Sequence, residues 1–254
     1  VTFNFGLDKT EEGRKVSFAL LKAYSLGDEN GNPFVFPNLV FKLSGDVNVI
    51  ENSINHDVYI AALESTSKRM VPTYFNCDSE SNKGANAEKI GIMGCRTRVV
   101  DNLYGEKSGL KRGNVACVTL NLVQMAYKSV GNIEHFVELI KRAMNDAKDS
   151  LIYRYETLIA SADFSEVYKR KIYKDSEYSD ADLAFRNGTL SIGFIGLWDA
   201  LSVIYGKKWN EISDMEKYLD DAFHIVYVMR EMTDLYTKET KMNFSLLASA
   251  AEGV

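Results

Sequence analysis

The alternation of apolar and polar positions along the chain changes period several times, and each change marks an element. Glu11 to Leu26 sets Val16, Ala19, Leu20 and Ala23 at helical spacing, and Gly27 with Asn30-Gly31-Asn32-Pro33 supplies a stop and a turn. A helix and then a loop are predicted. Phe34-Val35-Phe36-Pro37-Asn38-Leu39-Val40-Phe41-Lys42-Leu43 is aromatic and β-branched and predicts a strand, with Pro37 marking a bulge or an interruption. His56 to Met70 returns to the helical period, Val71 to Phe75 is short and β-prone, and the Asn, Ser, Asp, Lys and Gly of Cys77 to Glu88 predict a loop. Gly91 to Val100 has apolar flanks, but Gly91 and Gly94 predict an irregular loop or a kinked strand. Val115 to Val123 carries the clearest strand pattern in the chain. Gly131 to about Ala162 reads as one long helical region, with Phe136, Leu139, Ile140 and Ala143 on one face. A polar stretch rich in Lys and Tyr leads to Thr189 to Leu197, a strand that hands over to a helix near Trp198. A further helix is predicted over roughly Ile212 to Thr237, and Met242 to Leu247 closes as a strand.

Strands separated by helices of a dozen or more residues imply parallel pairing, because parallel neighbours need long crossovers. The fold class is therefore α/β. No repeat of fixed length and no low-complexity linker interrupts the 254 residues, and with only 3 Pro one compact unit is expected. Composition adds that 46% of the residues are hydrophobic and 26% charged, as in a soluble globular protein able to bury a sizeable core. The 30 Lys and Arg against 35 Asp and Glu leave a net charge of −5, which gives no overall pull toward nucleic acid or anionic lipid. No apolar run approaches the ~20 residues of a membrane span, and nothing at the start reads as a secretory leader. Both ends, Val1 running straight into Asn4-Phe5-Gly6 and Ala251-Glu252-Gly253-Val254, read as cuts within a larger polypeptide, the alternative being ordinary processing and an unremarkable tail.

The candidate chemistry starts with exclusions. There is no GxxxxGK[ST], no GxGxxG and no GxSxG, and His56, His135 and His224 stand apart without paired-ligand spacing, so no metal site is expected in this chain. Cys77, Cys95 and Cys117 are too few and too widely spaced for a disulfide framework, which fits a reducing, cytoplasmic setting. Cys117 reads as a small strand hydrophobe, whereas Cys95 lies between Gly94 and Arg96 in an irregular segment. Period-2 alternation puts Cys117, Thr119 and Asn121 on one strand face and Ala116, Val118, Leu120 and Leu122 on the other. Asn is disfavoured in strands, so Asn121 needs either a backbone partner or a ligand. Ser191 poses a milder form of the same question, and the glycines beside it let another backbone or a ligand approach closely.

Met93-Gly94-Cys95-Arg96-Thr97, Arg112-Gly113-Asn114, Val118-Thr119-Leu120-Asn121-Leu122, Asn187-Gly188-Thr189 with Ser191-Ile192-Gly193-Phe194-Ile195-Gly196-Leu197, and Asn243-Phe244-Ser245 with Ala251-Glu252-Gly253 follow one another in this order. Together they closely resemble the catalytic barrel of the anaerobic (class III) ribonucleoside-triphosphate reductases, within the glycyl-radical enzymes. Asn4-Phe5-Gly6, Phe36-Pro37-Asn38 and Phe41-Lys42-Leu43 also look like that family, so the resemblance spans essentially the whole chain. It implies part of a ten-stranded α/β barrel with an internal finger loop, and an oxidoreductase that converts ribonucleoside triphosphates to deoxyribonucleoside triphosphates anaerobically, for DNA replication. On the resemblance Cys95 is the thiyl-radical cysteine and Asn121 the strand asparagine near the ribose and the reductant. Met93, Thr119, Ser191, Ser249, Ala251, Glu252 and Gly253 are implied to line the substrate pocket, the last four near the phosphates.

The resemblance further implies formate as reductant, a glycyl radical installed by a radical-SAM activating enzyme, a zinc site, and a homodimer in the full-length enzyme. Neither nucleic acid nor membrane is an expected partner. Residues 1–254 are read as a catalytic barrel segment; the nucleotide-binding cone and the C-terminal module with its glycine and zinc-binding cysteines are not in this sequence, and alone the segment is expected to be inactive. Where the family usually has Pro-Arg after the strand motif this chain has Val123-Gln124, and Ala250 stands in place of a Pro. A non-catalytic remnant or nucleotide-binding module on the same barrel is the alternative reading.

Overall fold

The computed structural model describes residues 2–82, 87, 89–94, 97–99, 104, 113–161, 185–208, 211 and 213–249. The chain divides into two compact units, residues 1–101 with 107–110, and residues 102–106 with 111–254. No composition shift marks the division.

The first unit is a β-α-β-α-β run: β1 (Thr2–Phe5), α1 (Glu11–Leu26), β2 (Asn38–Leu43), α2 (His56–Arg69) and β3 (Thr73–Asn76). Its strands pair in parallel in the order β1-β2-β3, as the helical crossovers require. Phe5, Phe41 and Tyr74 fall in register, and that face meets Leu21 of α1 with Val58 and Ala62 of α2. The Phe5 and Phe41 rings meet edge to face, with centroids 5.3 Å apart. Alternation leaves Thr2, Asn4, Asn38, Val40 and Lys42 on the opposite face.

α1 runs over the residues its periodicity predicts. Thr10 caps it by accepting from the Gly13 amide at 3.1 Å, and Gly27 ends it at φ +83°. β2 is shorter than expected and begins after Pro37, which has no N–H for a ladder bond; Phe34 to Pro37 stay outside the strand. β1 has no counterpart in the sequence reading, and neither does the turn of π-helix over Gly45–Val49. Within that turn Asn48 is buried, and with Asn55 it donates to the Gly6 carbonyl at 3.0 and 3.1 Å, so the bend after β1 is held by satisfied amides.

The segment expected to be irregular forms two short strands, β4 (Gly91–Met93) and β5 (Thr97–Val99), paired antiparallel with Met93 opposite Thr97. Its glycines sit at the first strand residue and just past the last one, so they bound β4 rather than break it. Cys95 and Arg96, in the connection, lie outside the described residues.

The second unit has β6 (Asn114–Asn121), α3 (Leu122–Ser129), α4 (Ile133–Ala160), β7 (Thr189–Ile195), α5 (Leu197–Tyr205), α6 (Met215–Thr240) and β8 (Asn243–Ala248). The strands again pair in parallel, β6-β7-β8. Leu120, Leu190, Ile192 and Phe244 of the sheet bury against Phe136, Ile140, Met144 and Leu151 of α4 and Ile225 and Met229 of α6. The sequence reading carried β6 on to Val123. The strand in fact stops at Asn121, and Leu122, fully buried, opens α3, an apolar helix start that local pattern does not separate from a strand. The stretch rich in Lys and Tyr before β7 falls almost wholly outside the described residues.

Candidate active site

The sheet of the second unit turns one face to its helices, and the other face carries polar side chains in rows. Register places Cys117, Ser191 and Ser245 in one row across β6, β7 and β8, and Thr119, Gly193 and Leu247 in the next, with Asn121 beyond them at the carboxyl end of β6. Cys117, Thr119 and Asn121 are exposed, as the alternation predicts, while Leu120 between them is buried.

Ser191 is fully buried, and its hydroxyl lies 3.1 Å from that of Ser245. The Asn114 amide, turned so that its nitrogen faces the surrounding oxygens, donates to Ser191 Oγ at 3.2 Å and to the Ala116 and Thr189 carbonyls at 2.9 Å each. Ser191 thus sits in a satisfied polar floor beneath the open part of the face.

Gly193 explains itself through Ser249. The Ser249 amide donates to Phe194 O at 3.1 Å, one further rung of the β7–β8 ladder, and its hydroxyl lies 3.0 Å from Thr119 Oγ1, so its side chain reaches over Gly193 to β6. A Cβ at position 193 would stand 2.1 Å from Ser249 Oγ and 2.9 Å from Thr119 Oγ1, so a larger residue would force both hydroxyls to move and break their contact. The close approach anticipated around these glycines is thus made by a serine of this same chain. Gly193→Val is expected to push Ser249 off the sheet and raise exchange of its amide hydrogen at least about tenfold, a loss of about 1.4 kcal/mol, with Thr119→Val giving a smaller rise. Hydrogen exchange followed by mass spectrometry checks both; unchanged exchange in the valine variant at 193 refutes the packing argument.

Asn121 has the backbone partner its place in a strand called for. Its Oδ1 accepts from the Gln124 amide at 3.1 Å, capping α3, while Nδ2 makes no hydrogen bond among the described residues. The same side chain ends a strand, starts a helix and presents on the open face a donor that has no partner among the described residues.

Two helices start at the carboxyl edge of this sheet, α3 directly after Asn121 and α5 directly after Gly196. Gly196 holds φ +73° and brings no capping side chain to α5. α6 holds α5 at both ends: the Tyr218 hydroxyl donates to Trp198 O at 2.7 Å near its start, and that of Tyr205, its last residue, to Asp221 Oδ2 at 2.5 Å. Burial, with the Asp221 carboxylate beside it, pushes the Tyr205 hydroxyl up to about 12, so it stays a donor across the neutral range. The carboxyl edge of a parallel sheet, lined by helix N-termini, is where an open α/β sheet takes anionic ligands.

Met93 lies in β4 of the first unit, half-buried. Cys95, Ala251, Glu252 and Gly253 lie outside the described residues. Among the described residues no three His, Cys, Asp or Glu side chains gather as metal ligands. No described helix is long and apolar enough to cross a membrane.

The family model described as anaerobic ribonucleoside-triphosphate reductase matches residues 1–254. The chain belongs to this family. Anaerobic ribonucleoside-triphosphate reductases from Escherichia coli K12, Haemophilus influenzae and Enterobacteria phage T4 are 29%, 31% and 28% identical to it over 266, 265 and 270 residues. All of this chain is covered, but only 36%, 36% and 42% of those proteins, so it spans about a third of the length of the bacterial reductases it matches. The crystal structure of the anaerobic ribonucleotide reductase from Thermotoga maritima in complex with dATP and CTP shares the fold, with a TM-score of 0.64 at 18% identity over 93% of this chain and 36% of that one. The form with citrate in its active site gives a TM-score of 0.62 at 16% identity over 99% of this chain and 46% of that one. The mixed α/β architecture of this reductase segment is thereby that of the anaerobic reductase barrel.

Proposed function

We propose that this chain is the catalytic barrel segment, residues 1–254 as one functional part, of a larger cytoplasmic enzyme that reduces ribonucleoside triphosphates to deoxyribonucleoside triphosphates under anaerobic conditions. The observation that carries the reading is the open polar face of β6, β7 and β8, where Thr119, the Asn121 Nδ2 and Ser249 stand beside two helix N-termini. The in-order motifs and the family match over the full chain support it. On this reading the segment is part of a ten-stranded α/β barrel.

The glycyl radical, carried on a module outside this segment and installed by a radical-SAM activase, supplies the unpaired electron. Cys95, as a thiyl radical, would take the hydrogen at ribose C3′, and the protonated 2′-hydroxyl would then leave as water. Formate oxidised to carbon dioxide would supply the two electrons and one hydrogen, with the second proton coming from solvent, and the cysteine would return its hydrogen to C3′. Asn121 donates from Nδ2 to a formate oxygen or a ribose hydroxyl while its Oδ1 stays on the α3 cap. Thr119 and Ser249, joined by their hydroxyls, take part in the substrate pocket on this reading, with Ala251, Glu252 and Gly253 assigned to the phosphates by the resemblance. Met93, half-buried in β4, supplies soft, polarizable packing near the start of the turn, and Ser191 supports the floor. Sulfur-centred radical chemistry needs a site closed to water, which suits a cysteine inside a barrel. The full-length protein acts as a homodimer.

The test is anaerobic incubation of the full-length protein, radical-SAM activase and formate with a ribonucleoside triphosphate, and chromatography for the deoxynucleotide. Deoxynucleotide formation is expected. A glycyl radical visible by electron paramagnetic resonance with nucleotide bound and no product would overturn the reading in favour of a binding module.

A further inference from the structure

Asn4-Phe5-Gly6, Phe36-Pro37-Asn38 and Phe41-Lys42-Leu43 take no part in the steps above, yet their polar side chains share the face of the first sheet turned away from its helices. Each of them holds backbone of the segment leading to Cys95. Asn4 Nδ2 donates to Ile92 O at 2.9 Å, and Asn4 Oδ1 accepts from Ile92 N at 2.8 Å. The amide thereby pairs with the central residue of β4 as a neighbouring strand would. Two residues on, the Gly94 carbonyl accepts from Thr2 Oγ1 at 3.0 Å and from Asn38 Nδ2 at 2.5 Å, filling both lone pairs. At the other end Lys42, itself buried, donates from Nζ to Ala87 O at 3.0 Å. Gly94 has φ +57°, so the chain turns there, one residue before Cys95.

β4 and β5 have three residues each and pair with each other as an isolated two-stranded sheet. Two such strands are marginal by themselves, and their placement has to come from outside. Hydrogen-atom transfer is steep in distance, and a misplacement of about 1 Å can cost about 100-fold in rate. A planar side-chain amide suits the task because it offers a donor and an acceptor together, and its orientation is set by the two Ile92 groups it meets.

We propose that Asn4, with Thr2 and Asn38, forms a set of positioning residues that clamps the backbone at Ile92 and Gly94 and so sets where the following cysteine stands. The set touches no substrate and acts through Cys95; its consequence for turnover rests on the reading of Cys95 as the reacting thiol, whereas the clamp itself does not.

The experiment uses the full-length protein and three variants. Asn4→Asp keeps the acceptor for Ile92 N but presents an oxygen to Ile92 O, Thr2→Val removes one donor to Gly94 at nearly constant volume, and Cys95→Ser tests the reading of the thiol. Amide exchange at Ile92 to Gly94, kcat, KM and glycyl-radical yield are measured on each. Asn4→Asp is expected to raise exchange at Ile92 at least about tenfold and to lower kcat by about 100-fold, with KM held within about twofold and radical yield unchanged. Thr2→Val moves exchange and kcat the same way by less, and carries both readouts if Asn4→Asp does not fold. Unchanged exchange in the variants that fold overturns the clamp, and faster exchange with kcat intact per folded molecule overturns its role in positioning. Turnover surviving in Cys95→Ser would instead remove the thiol from the mechanism while leaving the exchange result standing.

Discussion

Replacing Cys95 by serine in the full-length protein is expected to abolish ribonucleotide reduction while glycyl-radical yield and melting midpoint stay near those of the parent. Oxygen for sulfur changes little in volume and keeps a donor and an acceptor, so the fold has small reason to respond, and a shift within about 0.5 kcal/mol is expected. The chemistry has every reason to respond, because an O–H bond is too strong to pass its hydrogen back and forth with a ribose carbon. The measurement is anaerobic turnover at saturating nucleotide beside radical quantitation by electron paramagnetic resonance. Parent-like turnover by the serine variant would remove Cys95 from the mechanism and with it the main residue-level link to the reductases.

The second large effect separates the two jobs of Asn121. Its Oδ1 caps α3, so Asn121→Ala should cost about 1 kcal/mol of stability, or about 2–4 °C in melting midpoint for a unit of this size. Asp and Ser are also good cap residues, and Asn121→Asp and Asn121→Ser should keep the midpoint close to the parent's. Neither replaces the Nδ2 donor. If that donor meets a formate oxygen or a ribose hydroxyl, all three variants should lose turnover, by about 10- to 100-fold for a hydrogen bond worth about 1.5–3 kcal/mol. The serine variant guards against reading the aspartate's new charge as loss of a donor. Parent-like kcat in Asn121→Asp and Asn121→Ser, with the alanine variant merely less stable, would reduce Asn121 to a helix cap.

The extent to which the chain declares its own fold differs from element to element. α1 is read to the residue, because apolar spacing and a terminating glycine followed by turn residues agree over one local stretch. α4, α6, β7 and β8 are read to within a few residues for the same reason. Parallel pairing in both units is also legible, since the helix-length gaps between strands permit little else. At the site, alternation alone places Thr119 and Asn121 on the face opposite Leu120, and the structure keeps them there.

Other features depend on residues far apart in the chain. β1 is four residues long, too short for a period to show, and is a strand because β2 pairs with it some 36 positions later. α3 hides in an apolar run that continues a strand pattern, and only the turn of the chain at Asn121 makes its amide a cap as well as a candidate donor. Gly193 carries no local sign that the residue needing its missing side chain is Ser249. Asn4 and Asn38 look like ordinary strand polars until Ile92 and Gly94 arrive from about 88 and 56 residues away. The sequence by itself determined the class of fold and most of the longer local elements, since period and terminating residues act over a few bonds. Which backbone each polar side chain holds was decided by the tertiary structure alone, because a hydrogen bond across a sheet face depends on burial and register set jointly by the whole unit.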